Sequence, residues 1–215
     1  HITDAEVHAN AVIIVKIDIS NYFPSITSNL ILGIWESFFD FPPSVAQLLT
    51  KLTTFRDILP QGAPTSSGLA NLVFWDTEHK VFEKLHANGF TYTRFVDDIT
   101  VSSRTYREKR DLEPIFSSVF GMFRLKGVKP NRKKVKILTP SSNMPIHNLN
   151  INSGNPTIAK KDRSRIRAAV KECEKKFLED NQSKEYEELW QSTLGRVNYL
   201  GQLHSSQARA YIQRL

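Results

Sequence analysis

The chain has 215 residues, with 29 Lys and Arg against 22 Asp and Glu, for a formal charge of +7. A composition 40% hydrophobic and 24% charged excludes a disordered tail and leaves room for one large domain or two smaller ones with a buried core. A single cysteine, Cys173, excludes an internal disulfide and a cysteine-built zinc site, and predicts a reducing, cytoplasmic setting.

Residues 11–17, a crowded β-branched run, predict a buried strand ending at Asp18. The longest apolar run, Ala11 to Val15, is far too short to span a bilayer, so no membrane partner is expected. Ile2-Thr3-Asp4 lacks the basic and apolar parts of a signal peptide, and the opening His1 suggests that part of the natural N-terminus lies outside this sequence. A helix is predicted over about 27–39, stopped by Pro42-Pro43, then a short one over 43–53. The proline-rich segment 59–64 reads as a loop, after which Thr65 or Ser66 caps one long helix ending at Gly89. Alternation over 90–95 and again over 99–102 predicts a β-hairpin with Asp97 and Asp98 at its tip. A helix over 107–126, a strand over 135–138 and a hairpin over 146–151 turning at Asn152-Ser153-Gly154 follow. Helices over 161–180, 184–203 and 205–213 close the chain. The pattern predicts an α+β unit over residues 1–155 and a helical domain over 156–215.

Asp18 closing one strand and Asp97-Asp98 tipping a neighbouring hairpin would repel one another unless cations shared them. Oxygen donors of this kind suit Mg2+, and two such ions serve phosphoryl transfer. Taken singly, each piece reads more readily as a turn or a strand cap, although an acid ending a buried strand is costly without a partner.

The quoted segments carry a resemblance. Asp18 to Ile26 (Asp-Ile-Ser-Asn-Tyr-Phe-Pro-Ser-Ile) resembles motif A of reverse transcriptases, and Leu59 to Ser66 (Leu-Pro-Gln-Gly-Ala-Pro-Thr-Ser) resembles motif B. Tyr92 to Asp98 resembles motif C, Gly127 with Asn131-Arg132-Lys133-Lys134 resembles motif D, and Ile146 to Asn152 stands in the place of motif E. Five motifs in order, spanning nearly the whole chain, are similar to the bacterial retron enzymes and the related phage-defence group. The resemblance implies a polymerase right-hand palm, an antiparallel sheet with helices on one face, carrying a remnant of fingers and followed by a small helical thumb.

By that resemblance, Asp18 and Asp97 hold two Mg2+ ions, with Mn2+ a possible substitute. Asp98 supports the site, and the Ile19 carbonyl completes a metal shell. Phe23, five residues after Asp18, stands where an aromatic ring excludes a 2′-hydroxyl and so favours dNTPs. Gln61 would bond the nucleotide, and Gly62 would let the backbone approach. Lys134 is the candidate general acid toward pyrophosphate, with Lys133 as its rival. Primer or template contacts fall to Phe95, Arg132, Lys133, Asn148, Lys160, Arg163 and Arg167. Two basic clusters support this: seven cations without an acid over 124–136, and eight against three acids over 157–176.

The chain also departs from the family pattern. Phe95 replaces the usual Tyr, Ile146-His147-Asn148 replaces the retron Val-Thr-Gly, and no Asn-Ala-x-x-His lies between Asp18 and Gln61. The Phe95 ring keeps its stacking without the hydroxyl, whereas the last two departures argue against an ordinary retron enzyme and toward the defence-associated group. The implied activity is RNA-directed DNA synthesis on an RNA template with a DNA or RNA primer. The implied partners are a cognate non-coding RNA and an effector protein in bacterial anti-phage defence. Untemplated or protein-primed synthesis by the same site, and a non-catalytic RNA-binding scaffold, are the competing readings. The length suits palm and thumb and leaves the fingers largely outside the sequence.

Overall fold

In the computed structural model, which describes residues 2–215, the β-branched run forms strand β1 (Ile13–Ser20). Period-two alternation divides its side chains between two faces. Ile13, Val15, Ile17 and Ile19 enter the hydrophobic core, while Ile14, Lys16 and Asp18 occupy the opposite face. One edge of β1 pairs antiparallel with β3 (Asp98–Ser103), which pairs in turn with β2 (Thr91–Phe95). The other edge pairs with β4 (Lys129–Pro130) near the end of β1 and with β5 (Lys136–Leu138) near its start.

Helices α5, α6 and α7 cover the face that carries the odd-numbered β1 residues. Leu69 and Ala70 of α5 (Ser66–Leu72), Val81 and Leu85 of α6 (Glu78–Ala87), and Ile115, Val119, Met122 and Phe123 of α7 (Glu113–Leu125) pack with Ile99 and Val101. Each large apolar side chain buried there contributes roughly 1.5–3 kcal/mol, so this face anchors the sheet. The other face buries Ile14, Thr100 and Ser102 near the start of β1 and carries the carboxylates at its C-terminal end.

Several elements differ from their sequence expectations. The 27–39 segment begins earlier, as α2 (Tyr22–Ser25) and α3 (Ser28–Gly33), and ends in a π-helical turn at Ile34–Phe38. Extended backbone at Ile26 separates α2 from α3 (φ −86°, ψ 103°). Helix α4 (Pro43–Thr53) lies where expected, opening on its proline. The single helix expected over 65–89 is two, α5 and α6, because the chain turns at 73–77 to bury Phe74 completely. Its ring lies parallel to Tyr22 at 6.1 Å, and its carbonyl accepts from the Glu78 N–H at 2.8 Å. Gly89, with φ +76°, follows the end of α6 as predicted. The 107–126 helix splits into a 3-10 turn (Lys109–Leu112) and α7, with Pro114 in its first turn.

The chain divides into two compact units, residues 11–142 and residues 2–10 together with 143–215. The second holds α1 (Ile2–Val7), a small sheet of β6 (Pro145–Ile146), β7 (Leu149–Asn150) and β8 (Thr157–Ile158), and three helices. These are α8 (Lys160–Glu179), α9 (Lys184–Gly201) and α10 (Ser205–Ile212). The hairpin expected to turn at 152–154 turns instead at His147-Asn148, both in left-handed backbone (φ 46° and 66°). Residues 152–154 connect β7 to β8, and Gly154 adopts φ +83° there. Cys173 is buried in α8. Among the described residues, no helix is long and apolar enough to cross a membrane.

Candidate active site

Antiparallel register brings the predicted carboxylates together. Asp18 lies directly opposite Asp98 across the β1–β3 ladder, and Asp98 lies opposite Phe95 across β3–β2. Opposed residues project to the same face, so Phe95, Asp98 and Asp18 form one row on the face away from the helical core. Asn131 extends the row, because its N–H donates to the Asp18 carbonyl at 2.8 Å. Asp97 stands beside the row in the β2–β3 turn, fastened where the Ile19 N–H donates to its carbonyl at 3.1 Å. The Ile19 side chain itself is core.

The Asp18 carboxylate is the most enclosed, with its side chain 12% exposed. One oxygen accepts from Lys134 Nζ at 3.1 Å and the other from Asn131 Nδ2 at 3.1 Å. This hydrogen bond and the carboxylate's charge hold the Lys134 ammonium above the ordinary lysine range. Burial, reinforced by the charges of Asp98 and Asp18, raises the Asp97 carboxyl above the usual carboxylate range, although a backbone hydrogen bond opposes the shift. The acidic centre is therefore under-neutralised, and among the described residues its one direct cation is an ammonium borne on a 64% exposed side chain. Hard carboxylate oxygens in that state fit divalent cations such as Mg2+. Among the described residues no three His, Cys, Asp or Glu side chains converge as a closed metal cage. An ion that keeps part of its shell for water and phosphate needs no such cage.

The remaining predicted residues fall in distinct places. Phe23, in α2, is half-buried, with its ring edge-on to Tyr22 at 6.1 Å and packed against the core. Gln61 is exposed in the loop before α5, and Gly62 adopts φ +92°, a left-handed conformation that favours glycine. Phe95 is 51% exposed at the end of β2. Arg132 and Lys133 are exposed, whereas the turn closed by the Lys134 N–H on the Asn131 carbonyl precedes Lys134's reach to Asp18. Asn148, Lys160, Arg163 and Arg167 belong to the other unit: Asn148 on the β6–β7 turn, the three cations on α8. Lys160 and Arg167 are exposed, and Arg163 is half-buried.

The sequence reading missed the side chains behind the motif. Arg94 forms a bidentate ion pair with Glu78 (Nε–Oε1 2.7 Å, Nη2–Oε2 2.6 Å), and Tyr92 donates to the same carboxylate at 2.8 Å. Alternation in β2 carried the available signal, since it places Tyr92 and Arg94 on the face opposite Phe95. An arginine directed at a core must find an acid.

An antiparallel sheet with helices packed on one face and acids at the strand ends of the other is the arrangement of a polymerase-type palm fold. The family model described as reverse transcriptase (RNA-dependent DNA polymerase) matches residues 2–202, and the chain belongs to this family. It is 31% identical over 211 residues to the retron Se72 reverse transcriptase of Salmonella heidelberg, covering 97% of this chain and 56% of that protein. It is 29% identical over 218 residues to the retron Ec48 reverse transcriptase of Escherichia coli, covering 100% of this chain and 53% of the relative. The chain thus spans about half the length of these relatives. The fold is also that of apo telomerase from Candida tropicalis (TM-score 0.60, 10% identity, 99% of this chain and 47% of that one). Telomerase from Candida albicans bound to a telomeric RNA fragment is similar (TM-score 0.56, 10% identity, 99% and 43%).

Proposed function

We propose that the protein is an RNA-directed DNA polymerase that adds dNTPs to a DNA or RNA primer at the row formed by Phe95, Asp98 and Asp18. The observation that supports this most is the register itself: two carboxylates directly opposed on one sheet face, with a third in the adjoining turn. A structural role gains nothing from that repulsion. Asp18 and Asp97 would hold Mg2+, with Asp98 beside them and Mn2+ as a substitute. The bound ions would activate the primer hydroxyl and neutralise charge developing on the phosphates.

The chain's own groups do the rest. Phe95 offers its exposed ring to the primer end, since stacking needs no hydroxyl. The half-buried Phe23 is braced by the core from behind, so its exposed edge can close the space a 2′-hydroxyl would need. Gln61 and Gly62 present an amide and an unhindered backbone to the nucleotide. Lys134, protonated and within reach of Asp18, can deliver a proton toward the leaving pyrophosphate. Arg132, Lys133 and the α8 cations Lys160, Arg163 and Arg167, with Asn148, would contact the template–primer backbone. Likeness to retron enzymes supports a dedicated non-coding RNA as template, an effector protein as a further partner, and a bacterial cytoplasmic role in anti-phage defence.

The test is Mg2+-dependent dNTP incorporation on a primed RNA. Asp18→Asn should abolish incorporation and leave RNA binding within about twofold, because one carboxylate contributes nothing to phosphate contacts. Undiminished synthesis by this variant would refute the assignment.

A further inference from the structure

The turn that carries Asp97 has an unfavourable geometry. Val96, its first residue, has φ +57°. A β-branched side chain in left-handed backbone is a genuine outlier and persists only where the surroundings enforce it. The enforcing contact is visible: the Val96 carbonyl accepts from Arg94 Nη1 at 3.0 Å.

Arg94 is itself fixed on every side. Its Nε and Nη2 meet the two oxygens of Glu78, Nη2 also donates to the Asn71 carbonyl at 2.9 Å, and Nη1 reaches the Asn71 side-chain oxygen at 3.3 Å. Together with Val96 this makes five hydrogen bonds, matching the five N–H donors of a guanidinium. The guanidinium also lies 5.1 Å from the centre of the Phe74 ring, and the side chain is only 5% exposed. A buried ion pair is a poor means of gaining stability, because desolvation consumes most of the attraction. What this one supplies is a fixed geometry: α5 (through Asn71), α6 (through Glu78) and the β2–β3 turn all meet on one planar group. Lysine, a point charge with three donors, cannot make that set of contacts.

We propose that Arg94 is the positioning residue of the site, holding the Val96–Asp97 turn in its left-handed form so that Asp97 stands beside Asp18, with Glu78 orienting the guanidinium. The proposal rests on the reading of Asp97 as a metal-holding carboxylate. A purely structural Arg94–Glu78 pair would tie β2 to α6 without touching the turn.

The experiment uses the full chain as Arg94→Lys, with Glu78→Gln as the milder variant should the first fail to fold. The first measurement needs neither metal nor substrate. Amide exchange of Ile19, whose N–H bonds the Asp97 carbonyl, should accelerate at least tenfold, while that of Val15 in the same strand stays unchanged. Mn2+ binding, followed by electron paramagnetic resonance, should weaken fivefold or more. The kcat for dNTP incorporation should fall ten- to a hundredfold, with the KM for dNTP changed less than threefold. Unchanged Ile19 exchange in the folded variants overturns the proposal, as does unchanged Mn2+ affinity in a wild type that binds it. A wild type that neither binds Mn2+ nor incorporates dNTPs overturns the polymerase reading instead, and Ile19 exchange still decides whether Arg94 holds the turn.

Discussion

Replacing Asp97 with Asn should change the sign of its effect on stability when a divalent cation is added. Without cation, the Asp97 carboxylate is partly buried and faces the charges of Asp98 and Asp18, which together raise its pKa. A folded-state pKa above the unfolded value means that the folded protein binds more protons. Stability therefore falls as pH rises through that window and is lowest above it. Like charges on neighbouring strands cost roughly 0.2–1 kcal/mol, so at pH 7 in a chelator Asp97→Asn should raise Tm by about 1–3 °C, given roughly 2–4 °C per kcal/mol at this size. The gain should vanish below the ordinary carboxylate range, where wild-type Asp97 is protonated in both states. With Mg2+ about a hundredfold above its Kd, the wild type gains about 2.7 kcal/mol, equivalent to roughly 5–10 °C, and the variant loses most of it. Differential scanning fluorimetry across pH 3.5–8, with chelator and with Mg2+, measures all of this. A variant destabilised in chelator at pH 7, or stabilised by Mg2+ as strongly as the wild type, would refute the reasoning.

Lys134→Met removes the ammonium that holds Asp18. With its competitor gone, Mn2+ should bind a few-fold tighter by paramagnetic resonance while kcat for incorporation falls about 10²-fold, the usual scale for a general acid. Opposite signs in the two assays separate this lysine from one that merely attracts nucleic acid. In the other unit, His8 is 1% exposed, and burial pushes its pKa down to about 4, with the Asp4 carboxylate opposing and His147 adding to the shift. The unfolded chain takes up a proton near 6.5 and the folded one does not. Stability should therefore fall with pH between about 6.5 and 4, by up to about 1.4 kcal/mol per pH unit. His8→Gln should flatten the dependence of Tm on pH over that range.

The carboxylate hairpin was legible because local periodicity dictated it: alternation over 90–95 and 99–102 around an Asp-Asp tip leaves few other arrangements. Its partner strand was legible for the same reason, through the β-branched run ending at Asp18. Elements set by tertiary contacts were not. The break at 73–77 contains no proline or glycine, and it exists because Phe74 packs on Tyr22 and Glu78 is needed at the start of α6 to receive Arg94. Strand β4 is two residues, one of them proline, and only its fit against Ile19 and Ser20 makes it a strand. The turn at His147-Asn148 was hidden by the stronger turn composition of Asn152-Ser153-Gly154. There His147 accepts an uncommon backbone and reaches the Asp4 carboxylate, a contact 143 residues away in sequence.

The basic run over 124–136 shows how charge that looks uniform in sequence is divided by backbone geometry. Lys126 turns aside to pair with Asp76 at 2.7 Å. The turn at 131–134 then sets Asn131 and Lys134 on one side, both bonded to Asp18, and leaves Arg132 and Lys133 exposed between them. A three-residue spacing thus brings Asn131 and Lys134 to one carboxylate and leaves Arg132 and Lys133 for phosphate. Lys133 and Lys134 are indistinguishable by composition, and the turn makes them chemically different. Exchanging their environments by inserting one residue into the turn would move the ammonium off Asp18 without altering the charge of the chain. The state of Asp18 therefore depends on the register of this turn rather than on the number of surrounding cations.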